Sequence, residues 1–229
     1  MKRGPYERYA GGLLACAIAL MAWPGGLPLP FSAGAWCALI AAAGCAAPRI
    51  RVPAGAAQRE AAVTWAFLGA ACYLAALYLT GVFMEALAAS PYDRSPAGLL
   101  LNLLRVLPPV AGRETARAYG FGTAWRVCRR RRLAVVLIAA ALFLAELRFA
   151  RIFALTGARA AVVYTAQTIA PALARNVLLS VLVFFGGAGA GIVYGGILTA
   201  FEWSFPFLPN LPWLAQGAVG VCVPLTLAM

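Results

Sequence analysis

The run AAVTWAFLGAACYLAALYLTGVFMEALAA, from Ala61 to Ala89, contains a single charged residue, Glu85. A hydrocarbon core of about 30 Å offers backbone N–H and C=O groups no water, so apolar runs of about 20 residues must cross it as self-satisfied helices. This run is long enough to cross with tilt, and the turn-rich SPYDRSP follows it. Upstream, Gly11 to Trp23 and Ser32 to Ala47 are two short alanine-rich runs joined by the uncharged PGGLPLP. With basic residues at both outer ends and none in the link, they read as a helical hairpin that returns to the cytoplasm.

Downstream, the leucine-dense run Leu99 to Val110 is interrupted by Asn102, Arg105 and the pair Pro108–Pro109. It reads as crossing, because that places Arg113, Arg117 and the later arginine cluster on one side. Leu133 to Leu147 is a further apolar run, ending in Glu146, Arg148 and Arg151, where helical spacing suggests that Glu146 pairs with Arg148 or Arg151. Gly157 to Ala174 carries Arg159, Gln167 and Pro171, and stays open between a polar span, a re-entrant piece and an interfacial helix. Val177 to Ala200 reads as one span, and a last run extends from Leu214 to Met229. The fold expected is an all-α polytopic transmembrane bundle of about six or seven helices, some of them interfacial or re-entrant. It forms one integral membrane domain over 1–229. An apolar run that reaches the last residue reads as a domain cut from a longer protein or as a gene reading that ended early.

Composition agrees with that reading. The chain is 63% hydrophobic and 11% charged, where a soluble domain carries about a quarter charged residues. Its net charge is +12, and Lys2 is the only lysine. The basic residues cluster between apolar runs: Lys2, Arg3 and Arg8; Arg49, Arg51 and Arg59; Arg126 and Arg129 to Arg132. The positive-inside rule puts all three clusters, and with them the N-terminus, in the cytoplasm of a cell-membrane protein. A basic cluster beside a span is what topology alone demands, so nucleic acid is not read as a partner. The bilayer is.

Six cysteines form no CxxC pair and histidine is absent. No zinc, haem or other metal or cofactor is therefore expected, and neither a Ser-His-Asp nor a Cys-His catalytic set can be assembled.

The clearest spatial pattern is Gly187, Gly191, Gly195 and Thr199, four residues apart. On one helix they form a stripe of small residues that lets another backbone approach closely. Glu85 reads as a carboxylate at the end of a span. Glu114 and Arg117 read as an exposed or interfacial helix pair of small energetic value. Arg175 and Asn176 read as helix-end anchors, and Trp23, Trp36, Trp203 and Trp213 as headgroup-level anchors beside two external links.

Two stretches resemble a known family. VYGGILTAFEWSFPFLPNLPWLAQGAVGVCVP, Val193 to Pro224, resembles the membrane domain that precedes the peptidase in multi-span bacterial signal peptidase I proteins, chiefly in Glu202, Trp203, Pro209, Pro212 and Trp213. LPPVAGRETARAYG, Leu107 to Gly120, resembles an earlier segment of that domain in Pro108, Pro109, Gly112, Glu114 and Arg117. The resemblance implies a non-catalytic module that anchors or positions preprotein processing, with a signal peptidase catalytic domain or a preprotein as partner. The serine endopeptidase chemistry of that family needs a nucleophile segment and a lysine or histidine base that these residues lack. The rival reading is a small transporter or channel subunit using Glu85, Glu146 and the arginines. What separates the two is position. A transporter gathers its charges on one cavity, whereas an anchor leaves them at interfaces.

Overall fold

A computed structural model describes residues 5–23, 27–46 and 54–229. The residues Lys2, Arg3, Arg49 and Arg51 used in the orientation argument, and Pro24 to Gly26 of the first link, lie outside them. The described chain is mostly helical: α1 (Pro5–Met21), α2 (Leu29–Ala41), α3 (Ala56–Phe83), α4 (Pro96–Val127), α5 (Arg131–Glu146), α6 (Phe149–Phe153), α7 (Ala158–Tyr164), α8 (Ala170–Gly186), α9 (Ala188–Ser204) and α10 (Trp213–Ala228). A π-helical turn, Thr165–Ile169, joins α7 to α8, and another, Ala42–Ala46, extends α2. The segments are more numerous than the six or seven expected because short helices flank the long ones. Ala56–Phe83 and Ala158–Gly186 are long and apolar enough to cross a membrane.

The two ends of the bundle differ. At one end a two-stranded antiparallel ladder pairs β1 (Leu87–Ala89) with β2 (Phe207–Pro209), Ala88 opposite Leu208. The C-termini of α3 and α9 and the N-termini of α4 and α10 meet at this ladder. At the other end the carbon a side chain would add at Gly186 would lie 2.8 Å from the Cβ of Ala62, near the start of α3. The Trp65 indole donates to the Leu227 carbonyl near the end of α10, at 3.1 Å. The arginines of the α4–α5 connection belong to this second end, because α4 has 32 residues and extends about 48 Å from the ladder.

Local signals explain the ladder end. Ser95 caps α4 by accepting from the Gly98 N–H at 3.0 Å. The Ser95 N–H and hydroxyl in turn donate to Asp93, which holds that exposed carboxyl below its ordinary range. Helix α3 ends with Glu85 at φ +50 and with the Ala86 N–H donating to the Gly81 carbonyl at 2.8 Å. That is the left-handed exit glycine usually occupies, here taken by glutamate.

Three expectations need correction. Val177 to Ala200 is two helices, because Gly187 (φ +72, ψ −167) breaks it in a backbone region open essentially only to glycine. After that turn α9 folds back, so that Val183 of α8 reaches the site of Gly191. Gly187 therefore stands outside the α9 stripe, with open space around it. Second, the run read as Leu99 to Val110 and interrupted at Pro108 and Pro109 is part of a longer helix: α4 continues through the prolines, although they leave the carbonyls of Leu104 and Arg105 without intrahelical donors. Packing on both sides holds the helix together there, Gly112 against the Trp36 ring and Val110 against Gly195. Third, Trp36 is buried in a cluster with Leu39, Ala116 and Tyr119 and is no headgroup anchor, whereas Trp23 is exposed.

The two glycines predict different behaviour. At Gly191 an added methyl would lie 2.6 Å from Val183 Cγ2 and 3.0 Å from Glu114 Oε2, so Gly191→Ala should cost about 1–3 kcal/mol through overpacking. At Gly187 the space is open and the cost of Gly187→Ala, about 1–3 kcal/mol, is backbone strain. Gly187→Leu should cost about as much as Gly187→Ala, because the strain lies in the backbone, whereas Gly191→Leu should cost more than Gly191→Ala, because every added atom meets Val183 and Glu114, measured by thermal melting of detergent-purified protein. Equal responses at the two sites would contradict the turn.

Candidate functional site

Helix α4 places Arg113, Glu114 and Arg117 within little more than one turn. Glu114 is 0% exposed and Arg117 is 1% exposed, which reverses the sequence reading of a surface pair. The i,i+3 spacing that suggested a weak exposed pair is equally that of a buried one, and what decides is the neighbouring helix. Gly191 of α9 has no side chain where Glu114 lies, and α9 closes over the carboxylate.

Glu114 is bracketed by two guanidinium groups, Arg113 Nε at 2.8 Å and Arg117 Nε at 2.9 Å. Arg117 then reaches α8, where its Nη1 donates to Asn176 Oδ1 at 2.8 Å and to the Ser180 hydroxyl oxygen at 2.7 Å. Asn176 is buried and donates to the Ala139 carbonyl of α5 at 3.1 Å. Arg175 and Asn176 are thus interior residues of α8 and not its end anchors. The amide sits between the guanidinium and a backbone carbonyl, so both of its faces are used.

The second half of the network is Glu146. It does not pair with Arg148 or Arg151, as its helical spacing suggested. The chain leaves α-helix at Leu147, which turns those arginines away, and Glu146 instead accepts from Arg113 Nη1 at 3.2 Å and from Arg175 Nη2. Arg113 joins the two halves by touching both carboxylates. From Arg175 to Ser180 the polar groups form one connected cluster drawn from α4, α5 and α8.

That cluster borders a cavity of about 650 Å³ walled by α3, α8, α9 and α10 and roofed by the segment after α5. Glu146 and Arg175 form part of its wall, with Arg148, Arg151, Tyr194 and Glu202. Leu208, Pro209 and Leu211 of the ladder segment also border it, so it lies toward the ladder end. Its size suits a drug-sized solute, for which pockets run about 300–1,000 Å³. Its polarity does not suit a structural void, since empty cavities are normally apolar.

The other residues singled out from sequence sit elsewhere. Glu85 is exposed at the end of α3 and takes no part in the network. Gly195 faces Val110 of α4, and the Thr199 hydroxyl donates to the Gly195 carbonyl within α9. Trp203 stacks on Tyr92 at 4.2 Å, with the Arg105 guanidinium 6.0 Å from its ring centre. Pro209 pairs with Leu87 in the ladder, Pro212 precedes α10 and Trp213 begins it. Tyr194 was missed, because a tyrosine inside an apolar run carries no pattern of its own. No group of three or more metal-ligating side chains is found among the described residues.

The arrangement predicts an asymmetric response to mutation. Removing Glu114 leaves the buried Arg117 without its carboxylate and Arg113 with Glu146 alone, so Glu114→Leu should cost about 3–5 kcal/mol. Arg117→Met leaves Glu114 paired with Arg113 and should cost less. The double variant should be more stable than Glu114→Leu alone, in a double-mutant cycle on detergent-purified protein. Simple additivity would show that the pair is not buried as described. No protein-family model, no curated protein and no solved structure matches the chain.

Proposed function

We propose that the chain is a polytopic membrane protein of the transporter or channel-subunit class, with the cavity beside Glu146 and Arg175 as its solute-binding site. The observation that carries this reading is an inverted distribution of polarity. Glu114, Arg117 and Asn176 are enclosed, while Phe31, Trp65, Phe67, Leu100, Val136 and Phe153 are more than half exposed. Of the apolar windows in Ala56–Phe83 and Ala158–Gly186, 22% and 39% are buried. In water such a surface would aggregate. In a bilayer it is the normal outer face, and ionisable residues inside mark a pathway or a ligand site.

The placement of Glu146 and Arg175 on one cavity wall, joined through Arg113 to Glu114 and Arg117 in the bundle interior, favours a transport-type role over an anchor, whose charges would lie at interfaces. On this reading the arginine-bearing end faces the cytoplasm, as the positive-inside rule favours, and the ladder end faces outward. Eight helices, α1 to α5, the joined α7–α8, α9 and α10, then cross, several of them short enough to require a locally thin bilayer.

A second reading, the positioning module of a multi-span signal peptidase I, is favoured by a different observation. The Glu202 to Trp213 loop is fixed by the β1–β2 ladder and by the stacking of Trp203 on Tyr92, as a platform for a partner would be. On that reading, a catalytic domain fused after Met229 cleaves preproteins at a rate that falls when Trp203 and Trp213 are changed to Ala.

Orientation and access test the first reading together. On a cysteine-free background, Thr168→Cys in the cavity wall should react with a membrane-impermeant maleimide on intact cells, and Arg130→Cys only after lysis. Labelling of position 130 from outside, or failure of position 168 to label even after lysis, would rule it out.

A further inference from the structure

The cavity wall has two chemically distinct parts. Leu74, Leu77, Leu198 and Phe201 give it an apolar side, and Arg148, Arg151 and Arg175 a side on which guanidinium groups outnumber the carboxylates Glu146 and Glu202. Glu146 is already shared between Arg113 and Arg175. Among the described residues no carboxylate lies in ion-pair range of Arg148 or Arg151, and both side chains are exposed at the cavity's edge. Deeper in, Tyr194 is 0% exposed, and its hydroxyl has no hydrogen-bond partner. The Arg175 Nε is likewise buried and without a hydrogen-bond partner, although its Nη2 is committed to Glu146. Buried donors are almost always satisfied, so two orphans on one cavity wall indicate an acceptor that belongs there.

We propose that this cavity binds an amphipathic oxyanion, a phosphate- or carboxylate-headed molecule with a short apolar body; the proposal rests on the cavity reading above. The head accepts from Arg175 Nε and the Tyr194 hydroxyl, and the body lies along Leu74, Leu77, Leu198 and Phe201. Arg148 and Arg151 draw the anion in from the ladder end. A simple inorganic anion would leave the apolar wall uncovered, and a neutral apolar solute would leave both donors unsatisfied. Only a molecule with both parts completes the wall.

The test uses the full chain in nanodiscs of zwitterionic lipid, with hexyl phosphate, inorganic phosphate and hexanol as probes in titration calorimetry. Hexyl phosphate should bind saturably, and about tenfold or more tightly than either fragment, because each supplies half of the contacts. Tyr194→Phe removes the orphan hydroxyl and keeps the ring. It should weaken hexyl phosphate severalfold while leaving the unliganded melting temperature unchanged or higher, a combination that a purely structural tyrosine would not give. The Arg148→Ala/Arg151→Ala double variant should slow association and make it less sensitive to salt. Displacement of hexyl phosphate by phosphatidic acid in the disc identifies the source as membrane lipid, and failure to displace it identifies a soluble amphiphile; either result keeps the class. Hexanol binding as tightly as hexyl phosphate, inorganic phosphate binding as tightly, or unchanged affinity in Tyr194→Phe would overturn the proposal. Labelling at position 168 reports the cavity independently, so its retention alongside lost hexyl phosphate binding defeats the ligand class and not the cavity.

Discussion

Enclosing Glu114 with Arg117 is the constraint to which the rest of the bundle is fitted. A charge moved into a low-dielectric interior loses several kcal/mol of hydration, and attraction to a partner offsets that only with good geometry and with its remaining donors occupied. Each neighbouring helix meets part of the requirement. Helix α9 supplies the missing side chain at Gly191, α8 supplies Asn176 and Ser180 for the outer guanidinium nitrogen, and α5 holds Asn176 through the Ala139 carbonyl. Arg113 carries the network outward to Glu146. A change in the relative position of α4, α5 or α8 would leave at least one polar group of the network without its partner, so the network fixes their register in a way that apolar packing alone does not.

The same reasoning explains why the tight turn at Gly187 matters. If Val177 to Ala200 were a single rod, Gly191 would lie well beyond Ser180 along the axis and could not cover the carboxylate paired with Arg117, the guanidinium from which Ser180 accepts. Folding α9 back returns Gly191 to the level of Val183 and places Tyr194 with Leu178, Leu179 and Leu182 in one buried cluster. One residue with φ +72 thus brings the glycine seam and the polar network to the same place.

Much of the helical layout was legible, because an apolar run records itself in composition. The α3 and α5 runs and the arginine-rich connection were read close to where they lie, although the first of these runs continues past Phe83 into the ladder strand. What was not legible depended on which residues of distant segments meet. Glu114 and Arg117 carry the same spacing whether a helix faces solvent or another helix, so their burial follows from Gly191, which is 77 positions later than Glu114. Gly187 looked like one more member of a four-residue repeat, since a stripe on a helix and a break in it are both written as glycine. Glu146 was assigned to its sequence neighbours because local spacing was the only geometry available, while its partners, Arg113 and Arg175, come from other helices.

The β1–β2 ladder gives the cavity a fixed border at one end. Helices α3 and α9 would otherwise finish in loops free to move independently, but Ala88 is paired with Leu208, the Tyr78 hydroxyl donates to the Phe207 carbonyl, and Asn102 bridges to the Asp93 carbonyl at 2.9 Å. The cavity is therefore rigid along the ladder and along α3 and α9. It is less constrained on the side of Leu147 to Ala154, where α6 is a single short helix with no buried residue. Arg148 and Arg151 lie on that side, and Glu146, next to them in sequence, is the point where the buried network begins. A displacement of this segment would bear directly on the Glu146 contacts with Arg113 and Arg175, and through Arg113 on Glu114. The least constrained part of the wall is thus covalently adjacent to the one carboxylate that links the cavity to the centre of the bundle.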